Sequence, residues 1–245
     1  MRFPLGILFL PLREILKGLF DPLAMKHRSS LVSVFVPLLI VVAIVWFITV
    51  PIHELLHALG CLISGGSVNE LTIQRLYGGA VLERIIPFVR AGGAYAGQLS
   101  DFDTGGSDIG YFVTVLFPYV LTVIFGIPML MLAVRSGNAI PHGVGIVHTL
   151  LPLVSITGDY YEMGSIVVTR IAGFMPGSRE ALLIRGDDLA IVIKRVAASD
   201  MTGASILIGF SVLLAILFIW ATWWCSLAFS RIIFIKALEK GRNGE

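Results

Sequence analysis

A pair of histidines four residues apart, with a glutamate directly after the first, occupies residues 53–57 in the order His-Glu-Leu-Leu-His. Residues four apart in a helix lie on one face, so His53 and His57 can bind one zinc ion together. Glu54 is then placed to take a proton from a water molecule at the metal. The pattern predicts zinc-dependent hydrolysis. The rival interpretation is a pair of buried histidines that bond backbone carbonyls, with Glu54 in an ion pair.

The motif lies near the end of a long apolar stretch, residues 31–63. Ionisable groups are costly in an apolar or lipid environment, so they usually mark a working site. As one helix the stretch would be about 50 Å long, against a hydrocarbon core of about 30 Å. It must therefore tilt, protrude or bend, and Pro37 and Pro51 offer places for a bend.

The composition indicates an integral membrane protein. The chain has 245 residues, of which 56% are hydrophobic and only 14% charged, whereas soluble domains carry about 25% charged residues. A net charge of +2, without a basic run interleaved with aromatics, excludes nucleic acid as a predicted partner. The two cysteines, Cys61 and Cys225, are too far apart for a paired metal motif. Cys61 shares the helical face of the histidines, so an accessory ligand role stays open.

The hydropathy pattern predicts an all-α polytopic membrane protein with about four to six transmembrane helices. Four apolar segments are long enough to span, at about 31–63, 109–134, 140–157 and 204–229. A weaker stretch, 162–174, continues the third segment or forms a short helix of its own. The predicted organisation is an N-terminal amphipathic or interfacial segment (1–30), a core membrane domain (31–167), a charged loop with a helix over 187–198 (168–202), and a C-terminal transmembrane helix with its tail (203–245).

A small β-hairpin is predicted between the first two core helices. Residues 68–77 alternate between apolar and polar side chains, as a half-buried strand does. Gly78 and Gly79 follow as a turn, and residues 81–85 are expected to pair back on the first strand.

A third zinc ligand must come from elsewhere, because catalytic zinc usually has three protein ligands and one open position. Asp159, an acid at the end of an apolar span, is the best candidate, and Glu162 is its rival. The alternative for Asp159 is a helix cap after Gly158. His148 lies eleven residues before Asp159, close to three helical turns, and either contacts substrate or an oxyanion or is a core histidine.

Depth along the spans supports Asp159. His53 lies 22 residues after the start of the first span, and Asp159 about 19 after the start of the third. The first and third spans cross in the same direction, so the two residues are expected in one layer. A hydrolase of this kind needs its peptide substrate locally unwound, and a strand edge is one way to hold an extended chain. The strand at 68–77 offers such an edge, or is only part of a connecting hairpin.

The chain resembles the site-2 protease family of intramembrane zinc metalloproteases. The resemblance covers residues 31–166, about half of the chain, and begins with the apolar helix that ends in the 53–57 motif. It continues through the strand that starts at Val68, similar to the family's membrane-associated β segment, and the glycine-containing stretch 90–97, similar to the family's approach to the next core helix. Asp159 stands where the family supplies its third zinc ligand.

This resemblance implies that His53, His57 and Asp159 bind zinc, that Glu54 is the catalytic acid and base, and that the zinc side is cytosolic. The implied activity is hydrolysis of peptide bonds in or near transmembrane segments, the chemistry of regulated intramembrane proteolysis. The expected partners are a membrane-protein substrate and the lipid bilayer. Basic residues are divided almost evenly between the two sides and do not decide the topology.

Two other functions stay open. A non-proteolytic zinc-binding membrane protein, such as a metal transporter or a scaffold, would more often distribute acids and histidines along several spans. A membrane protease whose catalytic domain lies mostly outside the lipid would not continue a spanning stretch directly into its HExxH motif.

Overall fold

The computed structural model of the protein describes residues 5–24, 31–173, 184–198 and 202–242. Parts of the predicted N-terminal segment (1–4 and 25–30), of the predicted charged loop (174–183 and 199–201) and of the C-terminal tail (243–245) lie outside the described residues. The division into four ranges that the sequence suggests stays a prediction.

Helices make up most of the described chain. In order they are α1 (Leu5–Leu8), α2 (Leu10–Ala24), α3 (Leu31–Ile63), α4 (Gly79–Leu82), α5 (Asp108–Leu116), α6 (Val120–Phe125), α7 (Ile127–Ser136), α8 (Ala139–Val154), α9 (Asp159–Ala172), α10 (Leu189–Ala197) and α11 (Thr202–Arg242). Strands β1 (Ser67–Ile73), β2 (Val89–Ala91) and β3 (Gly97–Asp103) lie between α3 and α5.

Helix α3 runs without interruption through Pro37 and Pro51 and carries the HELLH motif in its last third. Many of its apolar side chains are more than half exposed, among them Leu39, Ile44 and Ile48. A helix that is apolar all round is expected either in a large core or in lipid. The exposed apolar surface of α3 therefore fits a lipid environment.

Three helical stretches are long and apolar enough to cross a membrane: Val32–Ile63, Asp108–Ser136 and Gly203–Phe234. Helices α8 and α9 would be a fourth if this broken pair is one span. The described residues therefore give three candidate spans, or four with the broken pair, and only the count of four falls within the four to six that the sequence predicts. Residues 162–172 form part of α9, a helix separate from α8.

The second candidate span is divided into three helices. A 3-10 turn at Phe117–Tyr119 separates α5 from α6, and Gly126 separates α6 from α7. Pro118 and Pro128 lie at these breaks, where a residue without a backbone N–H interrupts the helical hydrogen bonding. The first break directs α5 into the candidate site described below.

The strands form one sheet in the order β2-β1-β3. Strand β1 pairs in parallel with β2, with Leu71 opposite Val89, and antiparallel with β3, with Leu71 opposite Leu99. The buried face of the sheet packs on Ala58 of α3. Strand β3 is consequently an edge strand that lies close to the helix carrying the HELLH motif.

The predicted hairpin is wrong in its second strand. The strand predicted at 68–77 is present as β1, but residues 79–82 form α4 instead of pairing with it. Leu82 and Ile86 both pack into the cluster beneath the sheet. Their spacing of four is helical, and Gly79 lies against the carbonyl of Ile73 too closely for any side chain. The sheet is instead completed by β2 and β3, and the glycine-containing stretch 90–97 connects these two strands.

The predicted interfacial segment and the predicted charged loop both contain packed helices in their described parts. Helix α2 buries Pro11, Ile15 and Gly18 on one face, and Gly18 lies directly against Leu130 of α7. Helix α10 lies where a helix is predicted over 187–198. Its Val192 is buried in a cluster with Tyr161, Val168 and Ile184, so this part of the predicted charged loop contributes to a core.

The chain divides into two compact units. The first holds the described residues up to Phe47, Tyr119–Leu151 and those from Trp220 on; the second holds Ile48–Pro118 and the described part of Pro152–Ile219. Every residue of the HELLH motif, the whole sheet and helix α9 belong to the second unit. The candidate site is therefore built within one unit.

Candidate metal centre and its cavity

The two histidines of the motif converge on one carboxylate. His53 Nε2 lies 3.1 Å from Asp159 Oδ2, and His57 Nε2 lies 3.4 Å from the same oxygen. The two Nε2 atoms are 3.2 Å apart. Both histidines are buried. The sequence-based prediction that Asp159 lies in one layer with His53 and His57 agrees with this placement, while the three ligand roles stay predictions.

These three atoms have the spacing of metal ligands. Bonds of about 2.0–2.1 Å in a tetrahedral arrangement place the ligand atoms about 3.3 Å from one another, close to the 3.1, 3.2 and 3.4 Å found here. The cluster of His53, His57 and Asp159 could therefore hold a metal ion. Two imidazole nitrogens and one carboxylate oxygen form a donor set that suits several divalent metals.

Helix α5 fixes the orientation of His57. The Nδ1–H of His57 donates to the main-chain carbonyl of Thr114, at 2.9 Å, so that Nε2 is the nitrogen directed to Asp159. A hydrogen bond of this kind at the far ring nitrogen is typical of metal-binding histidines, because it sets the tautomer and the ring plane. Gly60, one turn further along α3, allows this approach, since a Cβ there would lie 3.1 Å from the carbonyl oxygen of Val113.

Asp159 is the first residue of α9 and follows a break of four residues after α8. The alternative role of helix cap is not seen: Gly158 occupies the cap position, and the Asp159 side chain is directed to the histidines. A carboxylate in the first turn of a helix is stabilised by the backbone dipoles. The break itself is supported by the Leu189 N–H, which donates to the Thr157 carbonyl at 2.8 Å.

A cavity of about 320 Å³ opens at this cluster. Glu54, His57 and Asp159 line it together with residues from β3, α5 and the segment before α10. Glu54 is packed closely against Gly97, because a Cβ at Gly97 would lie only 2.8 Å from the Glu54 Cδ. The absence of a side chain at position 97 thus lets the carboxylate lie at the start of β3, facing the cavity.

Strand β3 forms one wall of the cavity. Gln98, Leu99, Ser100 and Phe102 all line it, and β3 is paired on one side only, with β1, among the described strands. An unpaired strand edge can accept an extended peptide by backbone hydrogen bonds. The edge that the sequence assigns to the strand at 68–77 is therefore provided by β3, since β1 is central in the sheet.

The segment that leads into α10 contributes Gly186, Asp187 and Asp188 to the lining, and α10 contributes Ile191. The Asp187 carboxylate pairs with Arg195. Burial and the nearby carboxylates of Asp159 and Asp187 raise the pKa of Asp188 above its ordinary value. The predicted charged loop consequently contributes carboxylates to the cavity.

Glu162, the alternative third ligand, is directed elsewhere. Its Oε1 accepts a hydrogen bond from the Tyr111 hydroxyl of α5, and it lines the cavity without joining the metal-binding cluster. The geometry therefore favours Asp159 over Glu162 as the partner of the two histidines.

The other candidates named from the sequence, His148 and Cys61, are not members of the cluster. His148 belongs to the first unit, where its ring contacts Phe125 and its Nδ1–H donates to the Val144 carbonyl at 2.9 Å. Its role as a substrate or oxyanion contact stays a prediction. The Cys61 thiol lies 3.5 Å from the carbonyl oxygen of Ser67, so the described structure directs it to the sheet.

The sequence-based prediction missed several cavity residues, among them Tyr111, Thr114 and Gly97. Tyr111 and Thr114 are three residues apart, on one helical face at the start of the second apolar span, and that polar face is the signal that could have found them. Gly97 gives no such signal, because its importance comes from the approach of Glu54 in the folded chain.

Comparison of the chain with protein-family models, with curated proteins and with solved structures finds no match.

Proposed function

We propose that this protein is an intramembrane zinc endopeptidase that hydrolyses peptide bonds in or beside the membrane-spanning segments of other proteins. The observation that supports it best is the meeting of His53, His57 and Asp159 at ligand spacing, in a cavity that Glu54 also lines. The resemblance of these residues to the site-2 protease family supports the same activity.

Zinc suits the donor set. A catalytic zinc site usually has three protein ligands, often including imidazoles, and one open coordination position for water or substrate. The cavity of about 320 Å³ leaves room for this open position on the side of Glu54. When bound, zinc would polarise the scissile carbonyl and lower the pKa of water. His57 keeps the orientation that Thr114 gives it, and Asp159 supplies the single negative charge of the ligand set.

Glu54 acts as the general base and then as the general acid. Its carboxylate takes a proton from the attacking water and delivers this proton to the nitrogen of the departing amine. Contact with Gly97 prevents the carboxylate from moving toward β3. The base is thus fixed between the metal ligands and the strand on which a substrate would lie.

The substrate is an extended peptide that pairs with the free edge of β3. A peptide bond in a transmembrane helix is covered by the helical hydrogen bonds, so the segment must unwind before it can be cleaved. Pairing with β3 replaces the lost hydrogen bonds and carries the chain past Glu54. Gly97, at the end of β3 nearest Glu54, would then lie beside the scissile bond.

The proposed function also requires that the protein spans the bilayer several times. Three helices with the length and hydropathy of membrane spans support it, and α3 carries the HELLH motif within the first of them. By resemblance to the family, the site faces the cytosolic side. The proposed reaction therefore takes place below the membrane surface, with water reaching the site through the cavity.

The experiment is cleavage of a single-span model substrate by the purified protein in liposomes, with zinc content measured on the same samples. Glu54→Gln should keep stoichiometric zinc and lose cleavage by about 10²- to 10⁴-fold, the contribution of general acid–base catalysis. Glu83→Gln is the matched control, because Glu83 is exposed and does not line the cavity.

Two results would contradict the proposal. Equal cleavage by Glu54→Gln and the wild type would remove Glu54 from the chemistry. A wild type that binds zinc but cleaves no substrate would favour the alternative function, a non-proteolytic zinc-binding membrane protein such as a transporter or a scaffold.

A further inference from the structure

Tyr111 and Glu162 form a second polar pair in the cavity, outside the metal-binding cluster. The Tyr111 hydroxyl donates to Glu162 Oε1, and both residues line the cavity together with Glu54. Neither is required for the metal ligands described above. The pair therefore places a second carboxylate beside the one that is proposed to move protons.

The two residues lie on helices that also support the metal-binding cluster: Tyr111 on α5, which holds His57 through Thr114, and Glu162 on α9, which carries Asp159. Tyr111 precedes Thr114, whose carbonyl holds His57, by three residues of α5. Glu162 follows Asp159 by three residues of α9. Residues three apart on a helix have Cβ atoms about 5–6 Å apart. The Glu162 carboxylate therefore lines the same cavity as Glu54 and Asp159 without being one of the clustered ligand atoms.

The carboxylate of Glu162 forms no direct ion pair among the described residues, although His57 of the proposed metal site attracts it electrostatically. Within the described ranges no lysine, arginine or histidine forms an ion pair with it, and the phenol of Tyr111 is a neutral donor. The nearby guanidinium of Arg185 pairs with Asp108 instead. A partly buried carboxylate with only a neutral hydrogen-bond donor is costly for folding. Such a group is expected where a positive charge develops during function.

Peptide hydrolysis develops such a charge at one known position. The water oxygen bonds to the carbonyl carbon, the C–N bond breaks with its electron pair on nitrogen, and the nitrogen receives the proton that Glu54 took from water. The departing amine becomes more positive as this proton arrives. A carboxylate that accepts its N–H would stabilise the transition state more than the bound substrate.

We propose that Glu162 is this carboxylate. It is a second catalytic carboxylate, which accepts a hydrogen bond from the departing amine, and Tyr111 is the residue that positions it. Glu162 exchanges no proton with the substrate. The inference rests on the proposed endopeptidase function and adds to it a residue specific for amine leaving groups.

The test compares two substrates of identical sequence that differ at the scissile bond, one an amide and the other an ester. An ester releases an alcohol, which offers no N–H to Glu162. Glu162→Gln should lower kcat on the amide by about 10- to 100-fold, the effect of losing a hydrogen bond to a charged group. On the ester the loss should stay below about 3-fold, with zinc content and KM near the wild-type values.

Tyr111→Phe removes only one hydroxyl and tests the same link if Glu162→Gln does not yield folded protein. It should produce the same preference for the ester with a smaller loss on the amide, because the carboxylate remains but is less well held. Glu83→Gln and Tyr77→Phe are matched controls at residues that do not line the cavity, and both should leave the amide-to-ester ratio unchanged.

Three results would overturn the inference. Equal losses on amide and ester would show that the pair only braces α5 against α9. Loss of zinc in Glu162→Gln would make Glu162 a metal ligand, and unchanged kcat on the amide would leave it without a role. A wild type that cleaves neither substrate would instead overturn the proposed function, which distinguishes the two failures.

Discussion

The two units of the molecule both bury histidines in apolar helices, but they use them differently. In the first unit, His142 lies 3.1 Å from the carbonyl oxygen of Leu19, and His148 donates to the carbonyl of Val144. In the second, His53 and His57 converge on the Asp159 carboxylate. A buried histidine alone therefore does not indicate a metal site. Two imidazole nitrogens and a carboxylate oxygen directed to one point do indicate one.

The remaining polar groups show the same contrast. In the first unit, Ser226 accepts from the Ile127 N–H and donates to the Thr122 carbonyl, which repairs the helix break at Gly126. These partners are main-chain groups that must be satisfied in any apolar surrounding. In the second unit, polar side chains around the cavity also bond one another, as Tyr111 does with Glu162. The cavity thus adds contacts between side chains to those that satisfy the backbone, such as the bond from His57 to Thr114.

The largest expected effect is a loss of bound zinc when a histidine of the proposed metal site is replaced, compared with a histidine of the first unit. His57→Ala removes one of three proposed ligands, and zinc affinity should fall by more than the ~10- to 100-fold that outer residues cost. The purified variant should contain almost no zinc by elemental analysis. His142→Gln, which can still bond a carbonyl, should keep zinc at the wild-type level. Similar zinc losses in both variants would erase the contrast between the units.

The next effect distinguishes the two acids of α9. Asp159→Ala should release zinc nearly as completely as a histidine variant, because its carboxylate lies within 3.4 Å of both imidazoles. Glu162→Ala should retain zinc, since its carboxylate is bonded to Tyr111. Elemental analysis of the two variants side by side decides between them, and zinc loss in Glu162→Ala alone would contradict the ligand set.

The spacing within single helices was enough to predict much of the site. HELLH places His53, Glu54 and His57 by helical geometry alone, and the similar depths of His53 and Asp159 predicted their meeting. Helical spacing left Asp159 and Glu162 as alternatives, since residues three apart share a face. Only the partner of Glu162, Tyr111 on another helix, separates them, and no pattern within α9 contains that information.

The sheet shows where local patterns fail. Residues 81–85 are predicted from the sequence as the second strand of a hairpin, yet a helical turn begins at Gly79, and Leu82 and Ile86 both pack into the core beneath β1. The edge strand β3 was not predicted at all. Its residues are mostly polar, and its pairing with β1 joins residues about 25–35 apart, such as Leu71 and Leu99. In both segments the secondary structure is set by tertiary packing and not by local propensity.

A moderate loss of activity is expected from a substitution at Gly97, where β3 contacts the proposed general base Glu54. Gly97→Ala places a methyl group against the Glu54 side chain, and a displacement of about 1 Å can lower kcat by about 100-fold. Zinc content should stay unchanged, because the ligands do not contact position 97. Gly209→Ala is the matched control, since a Cβ there meets no atom within 4 Å. Full activity in Gly97→Ala would show that the contact does not constrain Glu54.

The smallest effect belongs to the first unit and should leave chemistry untouched. Ser226→Ala removes the hydroxyl that bonds Ile127 and Thr122 at the helix break. A buried N–H left without its partner costs about 1–3 kcal/mol, so the melting temperature should fall while zinc content and kcat stay at wild-type values. Ser136→Ala, at an exposed helix end, should change neither. A loss of activity in folded Ser226→Ala would mean that the polar groups of the first unit also take part in the reaction.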